Sequence, residues 1–228
     1  MIRTKNIFVT SAVGFALLVF GQAALATADS AVVNQVFAGH YRAPVKTSIA
    51  KTSAGVKKHP SVISLLQSLP NDSAMRSKYP ALRKGVKNWP PQREPEELIN
   101  VRVNSCWICA VKYEHGAKGD NDFHLILSNS PTPPFTTVMN VEVAALPKTG
   151  PDVSRLKGVR ATFLSFFLAI PPTSNFAKVS PPIHVRIEGS LYFDGDHNAG
   201  GQKDPGPSWA KPKTVWELHP IYKLTRLN

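Results

Sequence analysis

Near the end of the chain stands the stretch 214-TVWELHPIY-222, in which large apolar residues alternate with polar or ionisable ones. A period of two is typical of a half-buried β-strand. The alternation places Trp216, Leu218 and Tyr222 on one face, with an acid and an imidazole on the other. The stretch therefore predicts a strand that packs on a core and presents ionisable groups on its second face.

A second stretch, 122-DFHLIL-127, has the same pattern. Its apolar residues share one face, whereas Asp122 and His124 share the opposite one. Glu217 and His219 have the same relation in the first stretch. Two strands that each present a carboxylate and an imidazole are the best indication of a site in this chain, although they do not identify a reaction.

Three further segments have the composition of strands, and a segment after Asp152 has apolar residues at helical spacing. Three strands, a helix and two strands is the order of the OB-fold, a five-stranded Greek-key barrel with its helix between strands three and four. Gly189, inside the fourth strand, favours a bend or bulge there. We predict a mainly β protein with a small OB-like barrel; another small antiparallel barrel or sandwich is the alternative. The predicted strands are 99–113, 122–128, 137–144, 183–193 and 215–224.

The N-terminus has the features of a secretory signal peptide. Arg3 and Lys5 precede an apolar run at 7–20, and small-x-small cleavage sites end at Ala26 and Ala28. The apolar run is short for a membrane anchor, which is the alternative. We therefore expect a secreted or periplasmic bacterial protein without a transmembrane segment after cleavage.

The chain divides into a signal peptide at 1–28, a leader at 29–95 and an OB-like barrel domain at 96–228. The leader is rich in Lys, Ser, Pro and Ala and is predicted to be poorly ordered and irregular. One short helix is predicted in it after Ser61, because serine is a good helix N-cap. The run 89-WPP-91 predicts a stiff, extended link to the domain.

Cys106 and Cys109 form a C-x-x-C motif within a strand-like run. Thioredoxin-type chemistry needs the first cysteine at a helix N-terminus, which this run does not provide. In a regular strand the two side chains point to opposite faces, so a disulfide between Cys106 and Cys109 needs a bulge or kink. A local disulfide and two unpaired, packed thiols are the main alternatives.

The formal net charge of +12 favours an anionic partner, such as nucleic acid, a cell-envelope polysaccharide or a small anionic ligand. Solubility alone is the simpler explanation of this charge. In OB domains the face of strands two and three binds ligands, together with the loops after strands one and four. Both loops are polar and contain glycine here. The candidate ligand-binding residues are His115, Lys118, Asp120, Asp196, Lys203 and Trp209.

The polar faces of the second, third and fifth strands, with the loop after the fourth, form a candidate metal site. Imidazoles beside carboxylates suit zinc or another single divalent ion. A bound metal would activate water for hydrolysis, and without a metal a His–Glu pair would serve as an acid–base couple. The simpler alternative is an exposed strand face with cross-strand contacts. The candidate metal ligands are His124, Glu142, Asp194, His197, Glu217 and His219.

These motifs resemble those of a group of exported, largely uncharacterised bacterial proteins. That group has a D-x-H-L-x-L strand, a V-x-G-x-x-F-x-D strand with a following His, and a terminal E-x-H-P strand. Here the corresponding segments are 122-DFHLIL-127, 187-IEGSLYFD-194 with His197, and 217-ELHP-220. The resemblance covers roughly residues 98–228 and implies no particular activity. The C-x-x-C motif and the long loop before the last strand depart from the pattern.

Three functions are compatible with these observations. The first is an exported binding module that holds an anionic ligand or polymer on a basic, polar barrel face. The second is a metal-dependent hydrolase of the phosphodiesterase type, and the third is a structural envelope protein. The sequence leaves open whether the protein is an enzyme, and it assigns no catalytic residue. We expect a monomer.

Overall fold

The structure is a computed structural model that describes residues 31–39, 41–82, 89–115, 119–167, 172–197 and 206–228. The predicted signal peptide, Lys118 and Lys203 lie outside the described residues. Within the described ranges, no helix is long and apolar enough to span a membrane.

The described chain is mainly β, as predicted. Its strands are β1 (Lys57–His59), β2 (Asn100–Glu114), β3 (Asp122–Ser128), β4 (Val138–Val143), β5 (Ala177–Phe193) and β6 (Trp216–Arg226). The α-helices whose bounds lie within the described residues are α1 (Ala43–Lys46), α2 (Val62–Ser68), α3 (Asp72–Lys78) and α4 (Val153–Ser165).

The six strands form one mixed sheet in the order β1-β2-β3-β4-β6-β5, and β5 also pairs with β2. The pairings of β2, β3, β4, β6 and β5 therefore form a closed cycle. The β1–β2 and β4–β6 pairs are parallel, and the other pairs are antiparallel.

The prediction of five strands and one helix is wrong in number. The structure adds β1, which at three residues is too short to show an alternating pattern. It also adds α1 and α3 before the predicted strands, so that the predicted helix, α4, lies between the fourth and fifth strands of the sheet.

The main core lies on the face of the strands that carries their regular apolar residues. Leu125 of β3, Val141 of β4 and Leu218 of β6 are fully buried in one cluster, and Phe163 of α4 packs into it. Burial of such side chains contributes about 1.5–3 kcal/mol each. Because side chains alternate along a strand, the polar residues between them point away from this core.

The apolar face of β6 changes parity in the middle of the strand. Trp216 and Leu218 lie in the main core as predicted, but Tyr222 does not and packs with Leu146 and Leu156 instead. The residue that continues the core face is Ile221. The predicted position of Tyr222 is therefore wrong.

A bulge opposite Gly189 explains this change. Gly189 pairs with Ile221 and Leu191 pairs with Leu218, so two steps along β5 match three steps along β6. The extra residue on β6 places Ile221, three residues after Leu218, on the core face. A Cβ atom at Gly189 would lie 2.9 Å from Cβ of Leu218, so only glycine allows this close approach.

The described part of the leader packs on the sheet. The predicted short helix is present as α2, and the Ser61 side chain accepts the backbone N–H of Ser64 at its N-terminus. Leu65 of α2 and Met75 of α3 are buried in the main core. Trp216 of β6 donates its indole N–H to the Pro70 carbonyl at 2.8 Å. The domain boundary near residue 95 stays a prediction.

An ion pair joins the segment before α1 to the start of the sheet. Arg42 and Glu97 form a bidentate contact at 2.7 and 2.6 Å, and both side chains are fully buried. Arg42 also donates to the carbonyls of Pro90 and Gln92. Glu97 accepts the backbone N–H of Phe193 at the end of β5. The pair therefore holds three separate parts of the chain together.

Cys106 and Cys109 are free, buried thiols. Cys106 lies in the main core, whereas Cys109 packs in a second cluster with Ile126 and Phe135. Burial raises the pKa of the Cys109 thiol to about 12, which keeps the thiol protonated and unreactive. The structure thus contains two packed thiols and no disulfide between Cys106 and Cys109.

Candidate metal centre

The strand register brings the predicted ionisable residues together. His124 of β3 lies directly opposite Glu142 of β4, and Asn140 of β4 lies opposite Glu217 of β6. Asp122 shares a face with His124, because successive side chains alternate. These residues lie on the side of β3, β4 and β6 that faces away from the main core.

This polar face is nevertheless buried. Asp122, Glu217 and His219 have 0% of their surface exposed, and Glu142 has 1%. The alternative of an exposed strand face is therefore wrong for these four residues. Four buried ionisable side chains need partners, because an uncompensated charge in the interior is costly.

The segment around α1 lies near this face and is tied to it. The Arg93 guanidinium donates through Nη2 to the carbonyls of Val45, Ser48 and His219 at 2.7 to 2.9 Å. Lys46, at the end of α1, forms an ion pair of 2.7 Å with Asp120. These contacts join the leader, which was not predicted to take part in the site, to the polar face.

Two imidazoles lie between two carboxylates. Oε1 of Glu142 is 3.0 Å from Nδ1 of His124, and Oε2 is 2.7 Å from Nδ1 of His219. Oδ1 of Asp122 is 3.3 Å from Nε2 of His124, and Oδ2 is 3.8 Å from Nε2 of His219. Glu217 completes the group, with its Oε2 atom 3.9 Å from Nδ1 of His219.

Several of these buried atoms lack a hydrogen-bond partner among the described residues. They include Oε2 of Glu142, Oε2 of Glu217 and Nδ1 of His219. The 2.7 Å approach of His219 to Glu142 does not have hydrogen-bond geometry. An unsatisfied buried polar group costs about 1–3 kcal/mol, so the fold retains these three atoms at a cost.

Asn140 orients the two glutamates. Its Nδ2 atom donates to Oε1 of Glu217 at 2.6 Å and to Oε1 of Glu142 at 3.2 Å. Both donations leave the Oε2 atoms facing His219. Such outer contacts fix the direction of carboxylate ligands in metal sites. Sequence reasoning missed Asn140, although it has the same parity as Glu142 on β4.

The neighbouring carboxylates favour the protonated, positively charged form of both imidazoles. Burial opposes protonation of His219, but the carboxylates of Glu142 and Glu217 outweigh it and raise its pKa to about 9. Burial also opposes protonation of His124, but Glu142, Asp122 and Glu114 outweigh it and raise its pKa well above the ordinary value. Burial and the charge of Glu142 raise the pKa of Glu217 to about 7. The imidazolium groups therefore supply most of the positive charge in the metal-free cluster.

Two predicted metal ligands, Asp194 and His197, pair with each other. Oδ2 of Asp194 is 2.7 Å from Nδ1 of His197. Burial opposes protonation of His197, but Asp194 outweighs it and raises its pKa to about 9. Among the described residues, the two groups with metal-ligand spacing are Asp122–His124–Glu142 and Glu142–Glu217–His219. Asp122 was not among the predicted ligands, although it shares a face with His124.

Raising the pH is expected to destabilise the metal-free protein. The pKa values of His219 and His197 are about 9 in the fold and about 6.5 in an unfolded chain. Their stabilisation is therefore complete below pH 6.5 and is lost as the pH rises through about 9. Glu217 acts in the same direction between about pH 4.5 and 7, because the fold favours its protonated form.

Thermal unfolding in EDTA, followed from about pH 6 to pH 10, measures this dependence. We expect the melting temperature to fall steadily over the range. A constant or rising melting temperature would contradict the charged state assigned to the imidazoles.

The described members of the predicted ligand-binding set do not form one cluster. His115 stacks on Tyr113, Asp120 pairs with Lys46, and the backbone N–H of Asp196 bonds Asp194. Trp209 is 40% exposed and lies 6.0 Å from the Phe135 ring, which makes it a cover for the second cluster. Lys118 and Lys203 lie outside the described residues.

Comparison with protein-family models finds no match, and comparisons with curated proteins and with solved structures find none either. The resemblance to exported bacterial proteins therefore stays a prediction from three motifs.

Proposed function

We propose that this protein is a metal-binding module that holds a divalent ion of the zinc type between β4 and β6. The ligands are Glu142, Glu217 and His219. One observation carries the proposal: three fully buried atoms without hydrogen-bond partners belong to residues whose ligand atoms lie within 4.8 Å of one another. A cation at this point would satisfy all three atoms.

The donor set suits this class of ion. Imidazole nitrogen with carboxylate oxygen is a common set for zinc and similar ions, whereas calcium and magnesium prefer oxygen alone. Two ligands of a tetrahedral zinc ion lie about 3.4 Å apart, given bonds of about 2.1 Å. The observed separations of 2.7 and 3.9 Å from Nδ1 of His219 lie on either side of that value.

Burial favours retention of the ion over turnover. A catalytic zinc site keeps an open position for water or substrate, whereas a closed site does not. Glu142, Glu217 and His219 are at most 1% exposed. A binding module is therefore the better proposal, and the metal-dependent hydrolase is the second candidate. The sequence analysis predicts an anionic ligand for the binding module. The ligand proposed here is a cation, because the polar face of β3, β4 and β6 carries more carboxylates than ammonium groups.

Two further expectations belong to this proposal. We infer an OB-like barrel from the closed cycle of β2, β3, β4, β6 and β5, from the parallel β4–β6 pair and from the position of α4. We also infer export of a monomer to the periplasm or medium from the N-terminal segment. Removal of the signal peptide in a bacterial host, read by intact mass, tests the second inference.

Metal content tests the proposed function. The protein is stripped with EDTA, titrated with Zn²⁺ by calorimetry, desalted and measured by elemental mass spectrometry. We expect at least one ion per chain and at least a hundredfold weaker binding in His219→Ala and Glu217→Gln. The matched control is His184→Ala, which removes an imidazole that contacts Ser105 and Trp107.

Two results would reject the proposal. The first is a wild-type protein that retains no zinc after desalting while its circular dichroism shows a folded chain. The second is equal loss of binding in His184→Ala and His219→Ala, because that would place the ion elsewhere.

A further inference from the structure

A second group of acidic and imidazole side chains lies beside the proposed site and mirrors it. On β6, Glu217 and His219 form an acid-x-His pair on one face; on β3, Asp122 and His124 form another. Glu142 of β4 stands between the two pairs, opposite His124 in the register. The ligand atoms of Asp122, His124 and Glu142 also lie within 4.8 Å of one another.

Asp122 supplies independent evidence for a ligand at this second set. Its side chain is fully buried, and neither carboxylate oxygen has a hydrogen-bond partner among the described residues. Its Oδ1 atom lies 3.3 Å from Nε2 of His124, and its Oδ2 atom lies 3.8 Å from Nε2 of His219. A fully buried carboxylate that makes no hydrogen bond is suited to bind a cation, because the two nearby imidazoles offset only part of its desolvation.

The glutamate in the middle has the geometry of a bridge. Its Oε1 atom faces Nδ1 of His124 at 3.0 Å, and its Oε2 atom faces Nδ1 of His219 at 2.7 Å. Each oxygen of Glu142 therefore serves one imidazole. A carboxylate that binds one ion with each oxygen suits the spacing of about 3.5–4 Å found in two-metal sites.

The contact of its Nε2 atom with Glu114 suits His124 as a metal ligand. Nε2 of His124 lies 2.9 Å from Oε2 of Glu114, so the ring can donate its Nε2 proton to Glu114 and bind an ion through Nδ1. Glu114 is held in turn by Lys112 at 2.7 Å. A metal-bound histidine usually donates its second nitrogen to a carboxylate in this way.

From these contacts we infer that Glu142 bridges two divalent ions, the second of which is held by Asp122 and His124. The inference rests on the proposed function, because it adds a second ion to the first. It assigns Asp122 as a metal ligand that sequence reasoning did not select.

Ion stoichiometry tests the bridge with the full mature chain. EDTA-treated protein is titrated with Zn²⁺ by calorimetry, and the ions retained after desalting are counted. The expected values are two for the wild type and the His184→Ala control, one for His124→Ala, and one for His219→Ala. Glu142→Gln is expected to weaken both binding steps at least tenfold, because it removes a ligand from each ion.

A second variant covers failure of His124→Ala to fold. Asp122→Asn replaces the carboxylate with an amide of the same shape and is expected to retain one ion. Mn²⁺-loaded wild-type protein provides a separate measurement: two ions that share Glu142 give an exchange-coupled spectrum in electron paramagnetic resonance, and Asp122→Asn gives that of isolated ions.

The outcomes distinguish the two proposals. One ion in the wild type, unchanged in His124→Ala and in Asp122→Asn, overturns the bridge and leaves the first site intact. No ion in any form overturns both. Two ions whose Mn²⁺ spectra show no coupling also overturn the bridge, because the second ion then lies elsewhere.

Discussion

Replacing Arg42 by methionine is expected to destabilise the protein by about 3–5 kcal/mol. The guanidinium and the Glu97 carboxylate are fully buried and meet in a bidentate contact of 2.6 and 2.7 Å. Removal of the cation leaves a buried carboxylate without its charge partner, which costs more than the loss of the contact itself. Urea unfolding measures the free-energy change.

The source of this cost can be tested with a second substitution. Adding Glu97→Gln to Arg42→Met is expected to recover part of the stability, because the amide carries no charge and can still accept the backbone N–H of Phe193. Lys78→Met is the control, since its ion pair with Glu96 is on the surface. A double variant less stable than Arg42→Met would argue against the uncompensated charge as the cause.

Replacing Lys46 by methionine is expected to tighten binding of the divalent ion at least tenfold, or about 1.4 kcal/mol. Burial opposes the charge of Lys46, but Tyr192, Glu142 and Asp120 raise its pKa well above the ordinary value. The ammonium group therefore competes with a metal ion for the same negative potential. Removing it leaves the carboxylates more attractive to the ion.

The measurement is a Zn²⁺ titration of Lys46→Met beside the wild type. Lys57→Met is the matched control, because it removes the same charge from β1, where the side chain is exposed. Asp120, the partner of Lys46, is partly exposed and can be hydrated when the ammonium is gone. Unchanged or weaker binding in Lys46→Met alone would show that the ion does not occupy this polar face.

Much of the strand pattern was predictable because it is local. The alternation in 122-DFHLIL-127 and 214-TVWELHPIY-222 placed the imidazoles and carboxylates of β3 and β6 on the face opposite the core, as the structure has them. The N-cap of α2 at Ser61 was equally visible, because capping depends on one side chain and the next turn. The three-residue β1 was not, since its pattern is too short to recognise.

The errors share one physical origin, which is contact between distant parts of the chain. The bulge at Gly189 turned Ile221, and not Tyr222, into the core of β6. Asp122 was not predicted as a metal ligand. The evidence for it is that both oxygens are buried without a hydrogen-bond partner, and this burial is a property of the tertiary structure. No local sequence pattern predicted that Lys46 lies near the carboxylates of the polar face, since Lys46 belongs to a leader that was expected to be poorly ordered.

Two properties could be predicted from the residues alone: a mainly β protein, and the types of ionisable group that β3, β4 and β6 present on one face. Those properties follow from side-chain alternation, which needs only neighbouring residues. The burial of this face, the hydrogen bond from Arg93 of the leader to His219, and the contact of Glu142 with two imidazoles became visible only in the folded chain. These features depend on strand register and on docking of a remote segment, which local sequence patterns do not encode.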